Sequence, residues 1–328
     1  MRPRREGRAI GVELLELRNK VSTYYRVRVG AVRRLGRAPL AGRIAAALAG
    51  DPAQSAFDVE RLALEFARRA LVREGRPRGL LLEGEATRLP EESLILAHAG
   101  MGLAFALERL APLRPTSPAA AFDAVLGELL DLYEANSQLA YLPVPQETLG
   151  LAVRLFLPRL RGPVDAGLRR IAPDLTCLFW HGAGRGVYFR PAQFLPGGLA
   201  RAVDLCRREP PLATERLDAL AGLSFAVAMV NLHHPRAFAR LLPQVADGSA
   251  EAEALTHGVI ACLLARHHTT PADPAIPAFL AYRPADLRWR ESWERRVSEP
   301  GAHALTRLYP ALREHRRLGD FARFQPLR

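Results

Sequence analysis

Lysine is almost missing from this chain: Lys20 stands alone among 46 basic side chains in 328 residues. With no second lysine, the phosphate loop that ends in lysine and then serine or threonine is excluded at every glycine-rich stretch. Cysteine is scarce too. Cys177, Cys206 and Cys262 lie in separate apolar segments, show no CxxC spacing and are odd in number, which argues against a zinc ribbon and a disulfide framework. No HExxH, no nucleophile elbow GxSxG and no aspartate-rich cluster occurs, so no metal site and no cofactor are expected. The basic start MRPRREGRAIG is not followed by the apolar stretch of a secretory signal, and no uncharged run approaches the roughly 20 residues of a membrane span. A reducing cytoplasm is the expected setting, with membrane association as the alternative.

What is present begins with charge. The formal balance of +12 is unevenly placed. Residues 1–50 carry 12 basic and 3 acidic groups, and residues 281–328 carry 11 and 6. The 230 residues between hold 23 basic and 25 acidic groups, a near-neutral body. A neutral body with basic ends favours an acidic partner or an anionic membrane surface over a reader of nucleic acid, and no recognition-helix motif is found.

Helical signals dominate. Residues 56–73, AFDVERLALEFARRALVR, place apolar groups at helical spacing, and Asp51-Pro52 ahead of them has the form of an N-cap followed by a first-turn proline. Residues 118–135 and 199–208 repeat the pattern, prolines fall between the apolar blocks, and no sustained strand alternation appears. The expected class is all-α. Three parts are expected: a basic N-terminal helical segment over 1–50, a helical-repeat body over 51–280 and a basic helical extension over 281–328. Residues 12–35 form a basic amphipathic stretch. It either lies on an anionic membrane or docks on a membrane protein, or it simply covers the end of the body.

The body contains a repeat. AHAGMGLAFAL (97–107), WHGAGRGVYF (180–189), LAGLSFAVAM (220–229) and THGVIACLLA (256–265) each set a glycine four residues before another small side chain. TLGLAVRLF, around Gly150, is a degenerate copy. The leading glycines 100, 150, 182, 222 and 258 are 32 to 50 residues apart, the spacing of paired-helix repeats. Small residues at i and i+4 share a helix face and let a neighbouring helix approach, so stacked helical hairpins in an irregular α-solenoid are predicted. The stretch 178–189 then reads as a packing helix, with a hairpin about Gly182–Gly186 as the alternative. As a dinucleotide fingerprint it fails, because its third glycine arrives one position early.

Candidate polar groups cluster on the repeat. His98, His181 and His257 fall one or two residues before a leading glycine, so stacking would bring them to one groove as acid–base groups. Histidine near a helix end is equally served by the helix dipole alone. Arg185 stands where the sister copies carry Leu103, Phe225 and Ala261. Buried there, it requires a carboxylate partner or an anionic ligand, and Asp174, Asp218 and Glu92 are the candidates. Trp180, Tyr188 and Phe189 are expected to line an apolar pocket, with Asp218 either facing it or capping a helix.

The ordered set of motifs resembles a bacterial family known as domain of unknown function 1702, encoded beside enediyne polyketide synthases. HGAGRGVYF is similar to its glycine-x-glycine-arginine motif, AHAGMGLAFAL to its first small-residue block, and DALAGLSFAVAM and LTHGVIACLLAR to its last two, over roughly residues 57–270. The chain departs at Ala97, where the family has glutamate, and at Leu220-Ala221, where it has Trp-Ser. The family's central aromatic segment is also shortened. The resemblance implies secondary metabolism: an enzyme or accessory protein of polyketide biosynthesis that holds a hydrophobic polyene-type small molecule. The other reading is a non-catalytic scaffold docking through its basic ends.

Overall fold

A computed structural model describes residues 11–23, 39–194 and 197–323. They form α-helices joined by short 3-10 turns, with no strand among them. Local chemistry sets the helix ends. Asp51 accepts from the Ala53 amide at 3.0 Å and Pro52 opens the first turn of α3 (Pro52–Glu74). Gly75 ends that helix at φ +68°, a conformation costly for any side chain.

The body is a stack of helical hairpins. Helices α4 (Leu94–Leu110), α6 (Pro143–Phe156), α8 (Thr176–Tyr188), α10 (Ala213–Asn231) and α12 (Ala250–Thr269) alternate with α5 (Ala119–Asn136), α7 (Arg161–Ile171), α9 (Gly198–Arg208) and the short α11 (Pro235–Ala239). The first five pack successively side by side, with α3 ahead of α4 and α2 (Leu40–Leu48) against α3, and the others lie outside them. Neighbours in this inner row run the same way: Arg109 near the end of α4 donates to the Gly75 carbonyl after α3, and Asn231 at the end of α10 reaches Tyr188 at the end of α8. The row twists as it grows. By α12 it has come round, so that Arg266 donates to the Pro52 carbonyl and His268 Nε2 lies 2.9 Å from the carbonyl of Glu91, just ahead of α4.

One rule governs the five inner crossings. A Cβ on Gly182 would fall closer than 3.0 Å to the Glu147 carbonyl, and one on Gly150 would do the same at Phe179. Each glycine therefore rests on the carbonyl three residues before its counterpart. Gly222 and Gly184 repeat the relation against His181 and Ala219, and Gly100 rests on the Glu60 carbonyl beside Ala63. Gly102 abuts Pro145, three residues before Thr148. At the last crossing Gly258 rests on the Ala221 carbonyl, while Ser224 closes the pair with a hydroxyl bond to the Leu255 carbonyl at 2.6 Å. Such approach brings Cα–H groups onto carbonyl oxygens and maximises dispersion contact.

The contacting pair is thus a small residue facing the preceding helix and another two positions on facing the next. The sequence had pointed to i and i+4, and it had set Gly150 in the leading place, which Thr148 occupies. In α8 the spacing of two leaves Gly182 and Gly186 against α6 and Gly184 against α10. The stretch 178–189 is helical through Tyr188, not a hairpin.

Both ends of the chain pack on this row. Residues 11–23 form α1, laid across the ends of α8 and α10 with Glu16, Lys20 and Thr23 buried. Over 11–23 the amphipathic stretch therefore covers the body, and 24–35 lie outside the described residues. At the other end, Trp293 is buried against Phe238, Phe279 and Tyr282. The helix that follows widens to π turns at Glu294–Ser298 and Ala304–Leu308, each ending two residues before a proline, Pro300 and Pro310. The wider turn accommodates the ring and the missing amide. One described segment, Glu91–Leu110, is long and apolar enough to cross a membrane, and it is mostly buried within the protein.

Candidate functional site

The crossing rule also fixes which side chains face inward. Three positions after the leading residue stand Leu151 on α6, Arg185 on α8 and Phe225 on α10. One turn further stand Leu155, Phe189 and Met229. These six, with Glu60 and Phe57 of α3 and Thr23 of α1, line a chamber of about 40 Å³. A water molecule needs about 10–15 Å³ of such space, so the chamber takes roughly three waters or the tip of an apolar chain.

One turn before the Arg185 row lies a row of titratable groups: Glu147, His181 and His257 stand just ahead of the leading residue in α6, α8 and α12, and Glu60 holds the equivalent place in α3, three residues before Ala63. Glu147 is the hub. His181 Nδ1 donates to its Oε1 at 2.9 Å, and Arg185 Nη1 donates to its Oε2 at 2.5 Å. Burial alone would raise the Glu147 pKa, but the Arg185 charge and the His181 hydrogen bond hold it below the ordinary value. Arg185 thus finds its carboxylate in Glu147 rather than in Asp174, Asp218 or Glu92, and its guanidinium lies 4.7 Å from the Phe225 ring centre. Glu60 is buried, and desolvation lifts its pKa against the pull of Arg185.

His181 is fully buried, and its Nε2 has no hydrogen-bond partner. With Nδ1 bound to a carboxylate, Nε2 is left without a protein partner, the orientation a histidine base has when its ring is neutral. Its ring meets Phe225 edge to face at 5.9 Å and His257 at 6.5 Å, across α10, where the equivalent position is the small Ala221. Burial, above all, lowers His257 to about 3, and the backbone of Arg323 holds its ring. His257 is therefore neutral.

The other sequence candidates go elsewhere. His98 is one residue out of phase and turns to the outside of the row. There Nδ1 donates to the Leu94 carbonyl at 2.7 Å and Nε2 accepts from the Gln138 amide at 3.1 Å. It is a neutral structural bridge, its pKa lowered to about 4 by burial. Trp180 faces α7, donating to Asp165 at 2.9 Å, and Tyr188 is engaged by Glu16 and Asn231 under α1. Asp218 lies within α10, five residues after its start, so it caps nothing; burial and Glu215 push it up to about 8. The cap-like bond is made by Glu215, which accepts from the Leu212 amide. Among the predicted residues, Arg185, His181, His257 and Phe189 come together; His98, Trp180, Tyr188 and Asp218 do not.

Glu60 and Glu147 escaped the sequence reading. The signal for both was the repeat itself, hidden because α3 has Arg61 and α6 has Thr148 where the other copies show the leading glycine. Among the described residues no three His, Cys, Asp or Glu side chains gather as a metal ion would need. No family model, curated protein or solved structure matches the chain.

Proposed function

We propose that this protein binds an apolar, polyene-type small molecule of natural-product biosynthesis, its end held in the inner chamber beside Arg185 and His181. The supporting observation is the chamber's construction. Successive helices contribute equivalent apolar positions, interrupted by Arg185, Glu60 and Thr23, with Glu147 and His181 behind Arg185. Behind the Arg185 wall, His181 Nε2 has no hydrogen-bond partner. Burying that nitrogen unpaired carries a cost of about 1–3 kcal/mol that ligand binding would offset. The ordered motifs that resemble the enediyne-associated family supply the ligand class. Within this reading Arg185 and Glu60 face the bound molecule, and His181, fixed by Glu147, is the group that takes a proton.

A fluorescent conjugated polyene without charge, methyl parinarate, tests the reading. The wild-type protein is expected to enhance its emission saturably. Leu151→Trp, which fills the chamber from α6, is expected to weaken binding about tenfold, the effect of losing one good apolar contact site. Equal binding by wild type and variant sinks the reading.

A further inference from the structure

Outside the chamber, and sharing Thr23, Phe57 and Met229 with it, lies a cleft of about 280 Å³. Its remaining wall is of another character. Arg18, His233, His234 and Arg266 line it with Asn19 and Gln54, and no carboxylate is among the described lining residues. Charge balance separates the two compartments. Inside, Arg185 is neutralised by Glu147, and a raised pKa favours the uncharged form of Glu60. In the cleft, the charge of Arg266 is met by Asp273 at 2.5 Å, with His233 3.5 Å from the same carboxylate. Arg18 is exposed and has no ion-pair partner among the described residues. It stands close enough to His234 to help burial lower that imidazole's pKa. Arg266, only 1% exposed, keeps Nε without a hydrogen-bond partner, a donor in reserve on the cleft wall.

We infer that the ligand is an amphipathic anion: its apolar chain passes Phe57 and Met229 into the chamber, and its anionic head stays in the cleft against Arg18 and Arg266. The neutral chamber has no surplus charge to hold an anion, whereas the cleft has one cation too many and an open donor. This rests on the chamber reading above. It adds the polarity of the molecule and the direction in which it enters.

Parinaric acid and its methyl ester differ only at the head and so separate the two claims. A charge-assisted hydrogen bond predicts that the acid binds at least about tenfold more tightly than the ester. Arg18→Ala is expected to bring the acid down to the ester's affinity and to leave the ester unchanged; Arg18 is exposed, so folding is not at stake. Equal affinities for acid and ester in the wild-type protein overturn the inference while the chamber reading stands. So does an Arg18→Ala variant that weakens both probes alike. If neither probe binds, the chamber reading falls and takes the head-group assignment with it.

Discussion

Neighbouring inner helices of this protein meet backbone to backbone at glycine, and neighbouring outer helices do not. On α4, α6, α8, α10 and α12, Gly100, Gly102, Gly150, Gly182, Gly184, Gly222 and Gly258 are pressed onto the backbone of a neighbouring helix. On the outer helices, Gly127 of α5 and Gly162 of α7 have nothing within reach of an added methyl group, Gly167 of α7 meets the Leu126 side chain, and Gly198 of α9 rests on the Gln193 carbonyl just ahead of its own helix. Outer helices hold their places with apolar stripes and arginine pairs instead, as in Arg169–Glu215, Arg170–Asp123 and Arg207–Glu251. Solvent screens the more exposed of these pairs, Arg170–Asp123 above all, so they add little to stability. The difference teaches that position, not glycine content, marks the layer that lines the chamber. Only where backbones touch do equivalent side chains of successive helices fall into rows, and the chamber is one such row.

Substitution separates the two regions. Gly182→Ala is expected to have the largest effect, a loss of about 3 kcal/mol or more in urea unfolding. The helix-propensity gain of about 1 kcal/mol is far outweighed by forcing two backbones apart. The same shift moves Glu147, so binding of methyl parinarate is expected to fall in whatever folded fraction remains. A stability change under 1 kcal/mol would break the contrast. Ser224→Ala is expected to cost about 1 kcal/mol, the worth of one hydroxyl bond, because alanine keeps the crossing small. A cost like that of Gly182→Ala would show that the hydroxyl, and not the close approach, holds α10 to α12. Smallest, and of opposite sign, is Gly127→Ala on α5, expected to stabilise by about 0.5–1 kcal/mol through propensity and unfolded-state entropy. Destabilisation there would mean that the outer face is also packed against something.

Much of this architecture was legible beforehand. The 3.6-residue pattern marked α3, α5 and α9 almost to the residue, and the glycines at 100, 182, 222 and 258 sit at inner crossings as the repeat required. The site was harder to see. Helices turn by roughly 100° per residue, so a register error of one residue sends a side chain to a different face. His98, two positions before its glycine, therefore leaves the groove that His181 and His257, one position before theirs, share. Glu147 stayed hidden for a related reason: Gly150 looked like a leading residue and is the partner two positions later.

The sequence by itself determined that the chain is helical, where α3, α5 and α9 lie, and that Gly100, Gly182, Gly222 and Gly258 sit at helix contacts. These follow from propensity, capping and the steric limits of single residues, all of them local. Only the tertiary structure decided which carboxylate neutralises Arg185, 38 residues away, and which histidine is left with an open nitrogen. Those outcomes depend on the phase of each helix against its neighbours and on the twist that brings α12 back to α3. Long-range packing fixes both, because burying a charge is tolerable only where the fold supplies its counter-charge.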